Sequence, residues 1–230
     1  MNPVVIIGAG PQGLAAAAHL LERGLEPIVL ESGSGPATAV AEWGHVRLFS
    51  QWPELTDAAA IRLLDPTGWA APEAGYPTGA QWVESYLAPL AAALGDRVRY
   101  GARVVGVGRK GRGLSIDAGR AEQPFVVHVT HTDGSEERIL AQAVIDASGT
   151  WGRPNPAGAD GLPALGERHA VESGLLEYQM PSMEELSELA GKHVVVVGNG
   201  HSAATTIGLL SRLAKREPGT RISWVLRRGV

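Results

Sequence analysis

The chain has 230 residues, with 20 basic and 24 acidic side chains and a net charge of −4, an acidic balance that argues against a nucleic-acid-binding surface, which is ordinarily basic. Apolar residues make up 44% and charged residues 19%, the proportions of a globular protein with a packed core, and no apolar run approaches the roughly 20 residues needed to cross a bilayer. The absence of cysteine excludes a disulfide framework, thiolate metal sites and a redox-active cysteine pair within these residues.

The opening segment is apolar but has no basic stretch and breaks into glycine at Gly8. It therefore reads as a buried strand, Pro3–Ile7, rather than a signal peptide, and a soluble cytoplasmic protein without a membrane partner is the expectation. A glycine turn, Gly8–Gly13, leads into an alanine-rich helix, Leu14–Glu22, which Gly24 stops. Pro27–Leu30 is a second apolar strand. Residues 32–75 are irregular, with one helix expected at about 54–64.

The segment from Ala80 to Leu94 carries Val83, Leu87, Leu90, Ala91 and Leu94 at helical spacing. Strands follow at Val98–Tyr100 and Arg103–Val107. Leu114–Asp117, Phe125–Thr130 and Glu137–Leu140 read as a small antiparallel meander, with Asp133-Gly134 as its hairpin signal. Ala143–Asp146 is another buried strand. Residues 151–190 are rich in Pro and Gly, with a short helix expected at 182–189. Lys192–Val197, a helix reaching Arg216 and a strand at Arg221–Leu226 then repeat the opening pattern roughly 190 residues later.

Gly8-Ala9-Gly10-Pro11-Gln12-Gly13 has the spacing of a dinucleotide fingerprint in its full context of strand, turn, helix and strand. Gly8 suits the tight turn, Gly10 the close approach of a diphosphate, and Gly13 the packing of helix on strand. Helix N-terminal amides and the helix dipole attract phosphate. Glu31 closes the second strand, where a carboxylate can accept ribose hydroxyls, and Ser32 follows it.

Gly198-Asn199-Gly200-His201-Ser202-Ala203 repeats the fingerprint with alanine in the third glycine position. Arg227 and Arg228 stand at the end of the second strand, where a site for NADH would carry an acid; they suit a 2′-phosphate and favour NADPH, or they are solvated strand-end charges. His201 reads as a turn or phosphate residue rather than an acid–base catalyst.

With these motifs in order, the chain resembles the two-dinucleotide-binding flavoproteins, in particular their flavin-containing monooxygenase-like branch. The resemblance is carried further by Tyr76-Pro77-Thr78, by Gln81–Leu87, by Val104-Val105-Gly106-Val107 and by Val144-Ile145-Asp146-Ala147-Ser148-Gly149. It implies an α/β, Rossmann-like FAD/NAD(P)-binding fold with a parallel sheet, helices and a small antiparallel meander. FAD would rest on Gly8, Gly10, Pro11, Gln12 and Gly13, with Glu31 and Ser32 at the ribose. The Val104–Val105 backbone would lie at the adenine, and Ala147, Ser148 and Gly149 would close over the cofactor. The second fingerprint would take NADPH.

The resemblance also implies an FAD-binding domain at 1–157, a linker at 158–190 and the start of an NAD(P)H-binding domain at 191–230, completed by a further C-terminal segment or by a partner chain. The segment 152–180 carries no Phe-x-Gly-x-x-x-His signature of the flavin-containing and Baeyer–Villiger monooxygenases.

Arg47-Leu48-Phe49-Ser50-Gln51-Trp52 falls where related flavoproteins pass beside the flavin. Arg47 and Ser50 are candidates for cofactor contact and Trp52 for a wall of the flavin ring; a surface ion pair and a core tryptophan are the alternatives. Trp151, directly after Ser148-Gly149, reads as core packing, or as a residue near the nicotinamide channel. His45, His128, His131 and His169 lack metal-ligand spacing, and Glu184, Glu185 and Glu188 read as a solvated helix face. The expected function is an FAD-dependent oxidoreductase reduced by NADPH and acting on a small-molecule substrate, monooxygenase-like in chemistry. An FAD-only amine or thiol oxidase, or a non-catalytic nucleotide-binding fragment, is the alternative.

Overall fold

The apolar opening forms β1 (Val4–Ile7), followed by α1 (Pro11–Glu22) and β2 (Pro27–Leu30), in a computed structural model that describes residues 2–158 and 161–226. Pro11 occupies the first turn of α1, where its missing N–H costs nothing. The small residues Gly13, Ala17 and Ala18 are buried beside Leu14, which lets the helix lie close on the strands. Four short helices come next: α2 (Thr38–Glu42), α3 (Trp52–Leu55), α4 (Ala58–Leu64) and α5 (Gly79–Trp82). A π-helical segment, Val83–Leu87, joins α5 to α6 (Ala88–Leu94). Then come β3 (Val98–Arg99), β4 (Ala102–Arg109), β5 (Phe125–His131), β6 (Glu136–Ala141) and β7 (Ala143–Asp146).

The four parallel strands lie in the order β3-β2-β1-β7, and β4-β5-β6 form a separate antiparallel sheet. Val5 pairs with Ile28 on one side and Val144 on the other, so β1 is central and apolar throughout, as a strand covered on both faces must be. One core gathers Ile6, Leu14, Val29, Leu64, Leu87, Leu90 and Leu94 between sheet and helices. A second joins Val5 and Leu30 to Val127, Val129, Ile139 and Ala141 of the antiparallel sheet. These elements form one compact unit, Met1–Trp151.

Two expectations are corrected here. The helix expected at 54–64 is broken at Asp57, whose side chain accepts from the Ala59 and Ala60 amides and so starts a new helix, α4. Leu114–Asp117 alternates like a strand yet forms a loop: the Arg112 Nε donates to the Ala118 carbonyl at 3.0 Å and an Arg120 nitrogen to the Gly113 carbonyl at 2.7 Å. The three strands of the antiparallel sheet are therefore β4, β5 and β6. Their β5–β6 turn carries Gly134 at φ +83, the left-handed geometry its Asp-Gly pair implies.

The second unit spans Gly152–Val230. It contains α7 (Glu167–Glu172), α8 (Met183–Glu188), β8 (His193–Val197), α9 (His201–Arg216) and β9 (Arg221–Val225), of which α7 has no counterpart in the sequence reading. The buried Glu167 carboxylate organises the segment around it, accepting from the Ala157 amide at 2.9 Å, the Ala164 amide at 2.5 Å and the Tyr178 hydroxyl at 2.6 Å. β8 and β9 pair in parallel, Val194 against Ile222. Leu186, Val196 and Leu210 form the centre of this unit's core. Among the described residues no helix is long and apolar enough to cross a membrane.

Candidate functional site

The first glycine turn is made where β1, β7 and α1 meet. Gly8 has φ +99 and its amide donates to the Leu30 carbonyl at 2.7 Å. A Cβ at Gly8 would lie 2.7 Å from the Ala147 carbonyl oxygen, and one at Gly13 would lie 2.0 Å from the Gly8 oxygen; both positions exclude any larger residue. Gly10 differs. It is extended, at φ −75 and ψ −178, its side has open space, and no side chain caps the helix it starts. The first-turn amides of α1, from Gln12 onward, therefore face an open surface with the positive end of the helix dipole behind them, an arrangement that accepts phosphate.

Glu31 is aimed at this turn. The residue is 9% exposed. One oxygen accepts from the Ala9 amide at 2.8 Å, and the other from the Gly33 amide at 2.7 Å and, more weakly, the Ser32 hydroxyl at 3.5 Å. The oxygen bound to Ala9 keeps a lone pair free to receive a hydroxyl. Burial, reinforced by the Glu31 charge, pushes the neighbouring Tyr100 phenol up from its ordinary pKa. The Glu31 backbone is fixed as well, its amide donating to Arg99 and its carbonyl accepting from Ala102. Ala37 closes the loop after Glu31 in the left-handed region, at φ 51, with its amide on the Ala9 carbonyl. An alanine in that conformation leaves no sequence signal.

Along β4, Val104 faces Val129 and Gly106 faces His128, leaving Val105 without a partner in the β4–β5 register. The bulge frees the backbone at the position read as the adenine contact. Just after β7, the Ala147 amide donates to Ile7 and holds the segment against Gly8. Asp146 accepts from the Ser148 hydroxyl at 2.6 Å and its amide at 3.1 Å, and these bonds, the hydroxyl first, hold the Asp146 carboxyl below the usual carboxylate range. The Ser148 proton is thus committed to Asp146, and its oxygen lone pairs remain. Gly149 follows at φ +68. The Trp151 indole N–H donates to the Glu42 carboxylate, and the half-buried residue is absent from the hydrophobic clusters of the described residues, so its polar edge holds it and the expected core packing is not observed.

The 47–52 segment divides. Arg47 is exposed, donates to the Tyr76 carbonyl and bridges Thr78; Ser50 is half-buried. Trp52 is 7% exposed and part of the main core, which leaves its ring no face for a flavin. Its role is packing, because α3 begins at this residue and turns the indole inward. His131 lies 3.3 Å from Glu137, which also approaches Arg99 at 3.5 Å. Among the described residues no group of three or more His, Asp or Glu is gathered as a metal site requires.

The second turn repeats the glycine geometry with which the first begins and enters its helix. Gly198 has φ +114 and its amide donates to Val225 at 3.0 Å. Gly200 starts α9 in extended conformation, at φ −78 and ψ 173, again without a side-chain cap. Asn199 lies in the turn, His201 and Ser202 open the helix, exposed, and Ala203 packs against the core of this unit. Matching Gly198–Val225 to Gly8–Leu30 makes Leu226 the counterpart of Glu31: an apolar residue stands where the first turn has its acid. Arg227 and Arg228 lie outside the described residues.

Known proteins share this plan. The chain is 28% identical over 228 residues to the FAD-binding monooxygenase ausB of Aspergillus calidoustus, covering 93% of this chain and 33% of that protein. It is 30% identical over 204 residues to the indole-3-pyruvate monooxygenase YUCCA1 of Oryza sativa subsp. japonica, covering 86% and 42%. The chain thus spans between 33% and 42% of the length of these curated relatives. Among solved structures, the bacillithiol disulfide reductase Bdr (YpdA) of Bacillus cereus shares the fold with a TM-score of 0.63 at 24% identity, over 98% of this chain and 58% of that one. A sequence model of the pyridine nucleotide-disulphide oxidoreductases matches residues 2–228, and the chain belongs to that family.

Proposed function

We propose that the chain forms the cofactor-binding part of an FAD-dependent oxidoreductase, monooxygenase-like in its chemistry, that takes its electrons from NADPH. The observation that carries this reading is the first turn: uncapped helix amides from Gln12 onward, with the Glu31 carboxylate held on the Ala9 amide just before them. The residues fit the group. The diphosphate of FAD would rest on the α1 amides beside Gly10, Pro11, Gln12 and Gly13. Its ribose would lie at Glu31 and Ser32, its adenine at the bulged Val104–Val105 backbone, and its inner portion near Ala147, Ser148 and Gly149. Arg47 and Ser50 lie on the exposed strap tied to Tyr76 and Thr78, where a guanidinium can stabilise negative charge.

The second turn would seat the diphosphate of NADPH on Gly198, Asn199, Gly200, His201, Ser202 and Ala203. Leu226 favours NADPH, since it places no carboxylate against a 2′-phosphate, and Arg227 and Arg228 supply charge of the right sign. Bound FAD would supply two-electron transfer from a reduced nicotinamide. These residues bind, orient and shield, and none need act as a nucleophile. With no cysteine in the sequence, disulfide chemistry is not performed by these residues, which favours the monooxygenase relatives over the reductases.

The test is the absorbance spectrum of the purified chain, followed by anaerobic titration with NADPH and with NADH. A yellow protein whose flavin band is bleached by NADPH at lower concentration than by NADH is expected. A colourless chain with no saturable FAD binding overturns the proposal, and FAD binding without bleaching by either nucleotide points instead to an oxidase using FAD alone.

A further inference from the structure

The two nucleotide turns are related by a shift of 190 residues, yet they cannot close in the same way. In the first, the space beside the Gly8 carbonyl oxygen is filled by Gly13, where a Cβ would stand 2.0 Å from that oxygen. In the second, the corresponding residue is Ala203, whose methyl group would meet the Gly198 oxygen at that same impossible distance if the backbone were identical. The Gly198 carbonyl is instead held from another direction: the Trp224 indole N–H donates to it at 2.7 Å. Trp224 occupies the β9 place that Val29 has in β2, and the difference between them follows from the turn. Val29 is fully buried, whereas Trp224 is 45% exposed, its polar edge turned to the glycine turn.

We propose that Trp224 is a positioning residue for the second nucleotide turn, holding through its indole N–H the carbonyl that Ala203 keeps from packing against the helix. The bond ties the end of β9 to the residue that begins the turn and so fixes the direction of the α9 amides at Gly200–Ala203. This inference rests on the reading of the second turn as an NADPH site, and it concerns a residue that touches the turn rather than the nucleotide. An aromatic residue at a strand end without this role would show no energetic coupling to position 203.

The experiment compares Trp224→Phe, Ala203→Gly and the double variant in the full chain. Isothermal titration calorimetry would measure NADPH and FAD binding, and hydrogen–deuterium exchange would follow residues 198–204. Trp224→Phe is expected to raise the NADPH Kd up to about tenfold, the upper size of one lost hydrogen bond, to leave the FAD Kd within about twofold, and to speed exchange in 198–204. In the Ala203→Gly background, where the carbonyl can pack as in the first turn, the effect of Trp224→Phe is expected to shrink below about threefold. Unchanged exchange in 198–204, an equal loss of FAD and NADPH binding, or an equal effect of Trp224→Phe in both backgrounds would overturn the proposal. A chain that binds FAD but no NADPH, while the exchange difference and its dependence on position 203 persist, would support the lock and reject the NADPH reading alone.

Discussion

At the scale of single residues, the first turn is set by atoms that have no room to move. Gly13 leaves 2.0 Å between a prospective Cβ and a backbone oxygen, and backbone cannot yield as a flexible side chain can. Gly13→Ala is expected to destabilise the larger unit by about 1–3 kcal/mol through overpacking and to weaken FAD binding at least tenfold, measured by urea unfolding and FAD titration. Variants with normal FAD affinity would show that the turn tolerates opening.

Asp57 tests local electrostatics. Burial alone raises its carboxyl, but the Ala60 amide, His19 at 3.0 Å and the Ala59 amide together outweigh burial and hold it below the ordinary carboxylate range. A carboxyl so held takes up a proton less readily folded than unfolded. Its contribution is therefore complete above the ordinary carboxylate pKa and is lost as pH falls through the lowered value. Asp57→Ala is expected to cost about 1 kcal/mol at neutral pH and Asp57→Asn less, since asparagine still caps α4. Both should flatten the acid limb of a stability–pH curve relative to the parent, as followed by urea midpoints.

At the scale of elements, the helix at 79–94 shows how one residue recruits another. Pro89 has no N–H to give to the Ser85 carbonyl four residues earlier. The Trp69 indole supplies the missing donor at 2.7 Å, while its ring packs against Tyr86 at 5.8 Å between centroids, within the π-helical stretch. Trp69→Phe is expected to destabilise by about 1–3 kcal/mol because the Ser85 carbonyl is left without a partner, and by less when Pro89→Ala restores a backbone donor. Equal losses in both backgrounds, by thermal or urea unfolding, would refute this account. The periodicity of Val83, Leu87, Leu90, Ala91 and Leu94 revealed the helix but not its π-helical segment, because one added backbone residue hardly alters which side chains face inward.

At the scale of the molecule, two units carry separate cores, one in Met1–Trp151 and the other in Gly152–Val230. The smaller has a two-stranded sheet in which Val195 and Val197 are each 52% exposed, so its share of apolar burial is low. Urea unfolding is expected to be non-coincident by different probes, with the smaller unit unfolding first. Trp224 is the single tryptophan of that unit among the six of the chain, so the early transition should disappear from the fluorescence of Trp224→Phe while persisting in circular dichroism. One shared transition by both probes would show that the units unfold together.

The glycine spacings, the apolar strands and the terminal Glu31 made the βαβ plan, its repeat and its nucleotide-binding character legible in the sequence, because these depend on local sterics and on periods of a few residues. Trp52 facing the core, Glu31 accepting from Ala9, Asp146 holding Ser148 and Trp224 reaching Gly198 were not legible. Each depends on where a side chain meets an atom between two and 26 positions of chain away in a packed structure, or on the local course of the backbone that delivers it. Distance along the chain says nothing of such directions, which arise only when sheet and helices close on one another and every buried donor must find its acceptor.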